Sequence, residues 1–209
     1  MMRPLVDPPL ELLPPRVEVT TRADGARIVR SPVPLGSYPR TLGDRLLRWA
    51  AAAPERVFLG ERGDDGWREV TYAEAAAAIL GLAQGLLDRG LDGTRPLAIL
   101  SDNSVDSGLL LLAAMHVGIP VALISPAYSL LSADLGKIKA IGRKTRPALV
   151  YADDGERYGR ALAAMAELGA APLVGAEGLA ALRAAPTDAV AERHAATGPD
   201  TVAKILFTS

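Results

Sequence analysis

The chain of 209 residues contains no cysteine. That excludes disulfide frameworks, thiolate zinc sites and cysteine nucleophiles together. Histidine is nearly as scarce, with His116 and His194 alone, so no histidine-rich metal centre is expected. Lysine is confined to Lys137, Lys139, Lys144 and Lys204, and arginine supplies most of the positive charge. A net charge of −1 leaves no basic excess for phosphate neutralisation, so nucleic acid is not an expected partner. The most apolar stretch, Leu109 to Ile124, is too short for a bilayer and is interrupted by His116, Gly118 and Pro120. The opening MMRPLVDPPLELLPP is broken by prolines and lacks the apolar core of a secretory signal. The expectation is a soluble cytoplasmic protein with no membrane partner. Several catalytic fingerprints are missing as well. There is no G-x-x-x-x-G-K-[ST] loop, no G-x-G-x-x-G after a strand, no G-x-S-x-G elbow and no H-E-x-x-H.

What is present is an ordinary globular balance, 49% apolar and 22% charged. Residues 1–38 read as a proline-rich arm, a hairpin and a linker; residues 39–209 read as an α/β domain. In the arm, RVEVT (Arg16 to Thr20) and RIVR (Arg27 to Arg30) flank an Asp24-Gly25 turn signal. Ser31 to Pro39 holds three prolines and is a linker. A helix follows from Thr41 until Pro54, then a second hairpin, Val57 to Glu61 with Trp67 to Val70. Thr71-Tyr72-Ala73-Glu74 is a capping box that opens a long Ala/Leu helix ending near Gly90.

Beyond Gly90 the pattern alternates. Strands are expected at Pro96–Leu100, Val121–Ile124, Pro147–Tyr151, Pro172–Val174 and Lys204–Phe207. Helices are expected at Ser104–Val117, Ser132–Lys144 and Asp154–Leu168, with helical fragments to about Ala196. The strands are apolar without alternation, so both faces are covered, as in a mostly parallel, layered sheet with flanking helices. Open sheets of this kind bind ligands beyond the carboxyl ends of their strands. The positions to inspect are therefore Ser101-Asp102-Asn103, Ser125-Pro126-Ala127-Tyr128, Ala152-Asp153-Asp154 and Thr208-Ser209.

Each candidate side chain has an ordinary role beside a functional one. His116, near the end of an apolar helix, is expected in the core or at the helix terminus. His194, in a polar Ala-rich stretch, is expected in solvent. Asp153 and Asp154 suit helix N-caps better than a metal, because no third carboxylate has metal-site spacing. Tyr128 is expected to pack its loop. The basic run Lys137, Lys139, Arg143, Lys144 and Arg146 is expected to be a solvated helix face. Ser107-Gly108 lies within a helix and has no partner at nucleophile geometry.

Three segments together carry a resemblance: TYAEA at Thr71 to Ala75, PLAILSDNSVDSGLLLLAAMHVGIPVALISPAYS at Pro96 to Ser129, and TVAKILFTS at Thr201 to Ser209. In this order they resemble the N-terminal part of the adenylate-forming (AMP-dependent) acyl-CoA synthetases. SPVPLGSYPRTLGDRLLRWAAAAPERVFLGER, Ser31 to Arg62, and SPAYSL are similar to the feruloyl-CoA synthase branch. The resemblance covers about residues 30–209. It implies an acid–thiol ligase that joins a carboxylic acid such as ferulate to AMP, using ATP and Mg²⁺, and passes the acyl group to coenzyme A. It implies that Thr208 and Ser209 begin the ATP phosphate loop. The family's phosphate-loop glycines and lysine, its adenine-binding aromatic segment, its ribose-binding acidic residue and its mobile C-terminal domain match nothing here.

From that resemblance the chain is expected to be an incomplete N-terminal domain. Alone it would be inactive, bind no cofactor tightly, and self-associate through its last strand and uncovered apolar faces. No catalytic and no metal-ligating residue is assigned. Two rivals stand beside this reading. One is a complete non-catalytic α/β module that binds a nucleotide or a partner. The other is a nicotinamide-dependent oxidoreductase domain, which the glycine-free Ser101-Asp102-Asn103-Ser104 turn disfavours.

Overall fold

The computed structural model describes residues 16–64 and 66–207. The proline-rich arm, residues 1–15, and the expected phosphate-loop residues Thr208 and Ser209 lie outside that range. The chain divides into two compact units, Met1–Tyr38 and Pro39–Ser209. In the first, β1 (Glu18–Thr21) pairs antiparallel with β2 (Arg27–Arg30), Glu18 opposite Arg30. Gly25 at φ 83° makes the turn, and the Arg30 guanidinium closes on the Glu18 carboxylate at 3.0 Å.

The second unit begins with α1 (Leu42–Ala52). Its N-cap Thr41 accepts from the Asp44 amide while the Asp44 carboxylate accepts from the Thr41 amide. A hairpin follows, β3 (Val57–Gly63) with β4 (Gly66–Thr71). Thr71 then caps α2 (Tyr72–Asp88) through the expected capping box with Glu74. Helix α2 is largely buried, with Glu74, Ala77 and Asp88 exposed, since Ala and Leu occupy most of its circumference.

The centre of this unit is a parallel sheet of five strands in the order β8-β7-β5-β6-β9: β5 (Leu97–Ile99), β6 (Val121–Leu123), β7 (Leu149–Ala152), β8 (Ala171–Val174) and β9 (Lys204–Ile205). The register sets Leu97 beside Val121 and Leu149, and Ile99 beside Tyr151. Alternate residues therefore leave the sheet on opposite faces. Leu97, Ile99, Val121, Leu149 and Tyr151 join a core with α2, α3 (Val105–His116), α7 (Gly175–Leu182) and α8 (Asp188–Ala196). Ala98, Leu100, Ala122, Val150 and Ala152 join a second core under α5 (Gly136–Thr145) and α6 (Gly159–Ala166). Apolar strands without alternation thus serve two cores at once, and the layered α/β expectation holds.

Three boundaries differ from expectation. Pro126–Leu130 forms a short helix, α4, where a strand-end loop is expected. Pro126 stands at its first turn, where a proline's fixed φ fits and its missing N–H costs nothing. Helix α5 starts at Gly136 rather than Ser132, because Leu135 adopts a left-handed φ of 55° and Asp134 accepts from the Gly136 amide. Helix α6 starts at Gly159 rather than Asp154. The Asp154 carboxylate accepts from the Glu156 and Arg157 amides, each at 2.9 Å, and closes a separate turn first. Strand β9 is two residues long and, among the described residues, pairs with β6 alone.

Candidate functional site

The carboxyl ends of β5 and β7 meet as adjacent strands. Ser101 Oγ accepts from the Asp153 amide at 2.7 Å, so these two strand-end loops are tied across 52 positions of sequence. Arg157 donates to Asp102 Oδ2 at 2.5 Å, with both side chains about half exposed. Beneath them the Tyr158 hydroxyl and Asp153 Oδ1 are buried and have no hydrogen-bond partner among the described residues. Burial pushes the Tyr158 hydroxyl up, and the Asp102 carboxylate adds to this. On the α3 side of the same edge, Tyr151 is fully buried, and its hydroxyl is pushed up first by burial and then by Asp106. Asp106 is held at 2.6 Å by Arg68, and Glu61 accepts from the Val105 amide at the start of α3.

At the end of β6, Tyr128 packs against the α5–α6 core, as expected for an aromatic in that position, and Lys137 Nζ stands 4.5 Å above its ring. Beyond it lies an open groove of about 520 Å³ lined by Tyr128, Leu131, Ser132, Asp134 and Lys137. Arg157 is thus engaged by Asp102, while Lys137 stands over an aromatic face with no carboxylate partner among the described residues. Against them stand the carboxylates of Asp102, Asp153 and Asp154. Among the described residues no three His, Asp or Glu side chains converge as a metal site.

The histidines occupy the opposite end of the sheet. His116 is buried at the end of α3, where a core or helix-end position is expected. His194 departs from its expected exposure: its side chain is 13% exposed and stacks on His116, ring centroids 3.9 Å apart. His194 Nδ1 lies 3.0 Å from the His116 carbonyl oxygen and Nε2 lies 2.7 Å from Asp44 Oδ1. Arg40 adds contacts to the Asp44 carboxylate and to the Thr197 hydroxyl and carbonyl. The partner carboxylate is 150 positions away in sequence, so a polar local setting says nothing about His194. Sequence reasoning passes over Arg40 and Asp44, although Thr41 with Asp44 three residues on is a readable cap pattern.

Burial raises the Asp44 carboxyl, but hydrogen bonds to His194 and Thr41 and the charge of Arg40 outweigh it, and the net shift is downward. Burial, then the neighbouring His194, lowers the His116 imidazole to about 4. This cluster joins α1, α3 and α8 at the amino ends of the strands, away from where open α/β sheets bind ligands. Its contacts are structural.

The model of the AMP-binding enzyme family matches residues 46–209. The chain belongs to that family. Solved structures agree on the fold. VinN is 16% identical, with a TM-score of 0.61 over 83% of this chain and 41% of its own. MatB from Rhodopseudomonas palustris, solved with ATP bound, is 25% identical, with a TM-score of 0.58 over 80% of this chain and 32% of its own. A fatty acyl-adenylate ligase from L. pneumophila, solved with acyl adenylate and pyrophosphate, is 14% identical, with a TM-score of 0.55 over 70% of this chain and 25% of its own. The chain thus spans between a quarter and two-fifths of these family relatives. Among the described residues no helix is long and apolar enough to cross a membrane.

Proposed function

We propose that the chain supplies the N-terminal α/β part of an ATP-dependent, AMP-forming acid–thiol ligase. The observation that carries this is the family match across residues 46–209, on a fold similar to acyl-adenylate-forming enzymes. The favoured acid is aromatic, a hydroxycinnamate such as ferulate, on the similarity of Ser31 to Arg62 and SPAYSL to the feruloyl-CoA synthase branch. Coenzyme A is the acyl acceptor and Mg²⁺ accompanies ATP. The domain begins at residue 39, after the arm and linker.

The phosphate cradle belongs to Thr208 and Ser209. Strand β9 runs parallel to β6, so the chain leaves it toward the carboxyl edge of the sheet. Small hydroxyl residues there let backbone N–H groups approach phosphate oxygens. The described rim is consistent with a cradle elsewhere, since its Arg157 is paired with Asp102 and the Asp154 carboxylate is taken up by the Glu156 and Arg157 amides. In this reading the 209 residues by themselves hold ATP weakly and do not turn over. Val202 and Leu206, exposed on either side of β9, support self-association of the isolated chain. The protein is cytoplasmic.

Two measurements test this. Pyrophosphate release with ATP, Mg²⁺, ferulate and coenzyme A is expected at the blank rate, and turnover well above blank refutes the inactivity. In the encoding DNA, a Ser/Thr/Gly-rich loop ending in Pro-Lys-Gly is expected within about forty codons after Ser209, in one of three frames. Tight Mg²⁺-dependent ATP binding by the 209 residues, with no such loop in the DNA, favours a self-contained nucleotide-binding module instead.

A further inference from the structure

A chain of net charge −1 collects four cations, and no acid, on the ten residues of α5. Ile138, Ile141 and Gly142 are buried in the α5–α6 core and fix the inward face. At 100° per residue the outward arc is then Lys137, Lys139, Ala140, Arg143 and Lys144. Arg146 follows at once, in a left-handed conformation whose carbonyl accepts from Arg95. No ion pair among the described residues uses any of these five cations. They form a rigid positive face about 15 Å long, at 1.5 Å per residue.

The groove at the N-terminal end of this face is partly apolar. Leu131, 83% exposed, and the Tyr128 ring line it together with Lys137 and the Asp134 carboxylate. Asp134 is internally satisfied by Ser132 and the Gly136 amide. A cationic row beside a groove that takes an apolar side chain fits one kind of surface. We infer that the outward face of α5 and the Leu131 groove dock an acidic protein segment that carries an apolar side chain next to its carboxylates. The inward apolar residues of α5 are committed to the core, so insertion into a lipid layer has no anchor on this helix.

The test uses a fluorescein-labelled helical peptide of repeating Leu and Glu, poly-glutamate of equal charge, and phosphatidylserine vesicles. The proteins are the 209-residue chain, the triple variant Lys139→Ala, Arg143→Ala, Lys144→Ala, and Leu131→Ser. Leu131, Arg143 and Lys144 are exposed and Lys139 is half-buried, and circular dichroism matching the parent confirms folding. Losing three ion pairs is expected to weaken peptide binding about tenfold and to flatten its salt dependence. Leu131→Ser is expected to weaken the Leu/Glu peptide and leave poly-glutamate unchanged. Absence of peptide binding at low salt, equal binding by the triple variant, or binding to vesicles in place of the peptide overturns the inference.

Discussion

Gly81 and Gly85 lie one turn apart on α2 and form a flat strip against the end of α7. The Ala184 amide donates to the Gly81 carbonyl at 3.1 Å across this strip. A Cβ on Gly85 would overlap the Leu182 carbonyl oxygen and stand 2.7 Å from its carbon and 3.1 Å from Leu182 Cγ. Gly85→Ala therefore sets two effects against each other. Alanine improves helix propensity by about 1 kcal/mol. The overlap involves backbone, so the segment 182–184 must move bodily, and overpacking of this kind costs roughly 1–3 kcal/mol. The hydrogen bond to Gly81 goes with it, at about 1 kcal/mol. The clash wins, and the net loss is about 2 kcal/mol, or roughly 4–8 °C in Tm for a chain of this size. Urea denaturation followed by circular dichroism reads it. Gly159→Ala is the control: it also lies in a helix, a Cβ added there would meet nothing within 4 Å, and the change is expected to be neutral or stabilising. A Gly85→Ala protein as stable as the parent would refute the close approach of α2 to α7.

Two further outcomes follow from the caps and the histidines. Thr71→Ala removes the hydroxyl half of the α2 capping box, the acceptor for the Glu74 amide and the donor to the Glu74 carboxylate, leaves the backbone N–H of residue 71 on Glu74, and is expected to cost about 1 kcal/mol in urea denaturation. The bonds from Thr71 hold the Glu74 carboxyl below its usual value, so that part of the stability is present above the unfolded pKa and fades as pH falls. The gap between parent and variant should therefore narrow in acid. His116, lowered from 6.5 to about 4, binds a proton more readily unfolded than folded between those values. Stability is then expected to rise with pH across that window, by about 3 kcal/mol at most at 1.36 kcal/mol per unit. His116→Leu should flatten this slope; an unchanged slope would place the acid sensitivity elsewhere.

The legible parts of the molecule are those whose cause is local. The Thr71–Glu74 box, the Asp24-Gly25 turn and the apolar strands each carry their reason within a few residues. The order of strand and helix points to a parallel sheet, and strand ends point to where a site belongs. Boundaries are less legible where a side chain competes with the helix for backbone N–H groups. Asp134 and Asp154 each do so, and each delays a helix by several residues.

The sequence by itself determined most element types, the two-faced sheet and the family, because periodicity, caps and ordered motifs are written in neighbouring residues. Only the tertiary structure decided that β7 and β6 flank β5, that His194 stacks on His116 against Asp44, and that Arg157 pairs with Asp102 at the sheet's carboxyl edge. Those outcomes depend on which distant groups share a small volume. A chain of alternating strands and helices can close in several orders with the same local signals, and the choice among them is made by packing and by the pairing of buried polar groups.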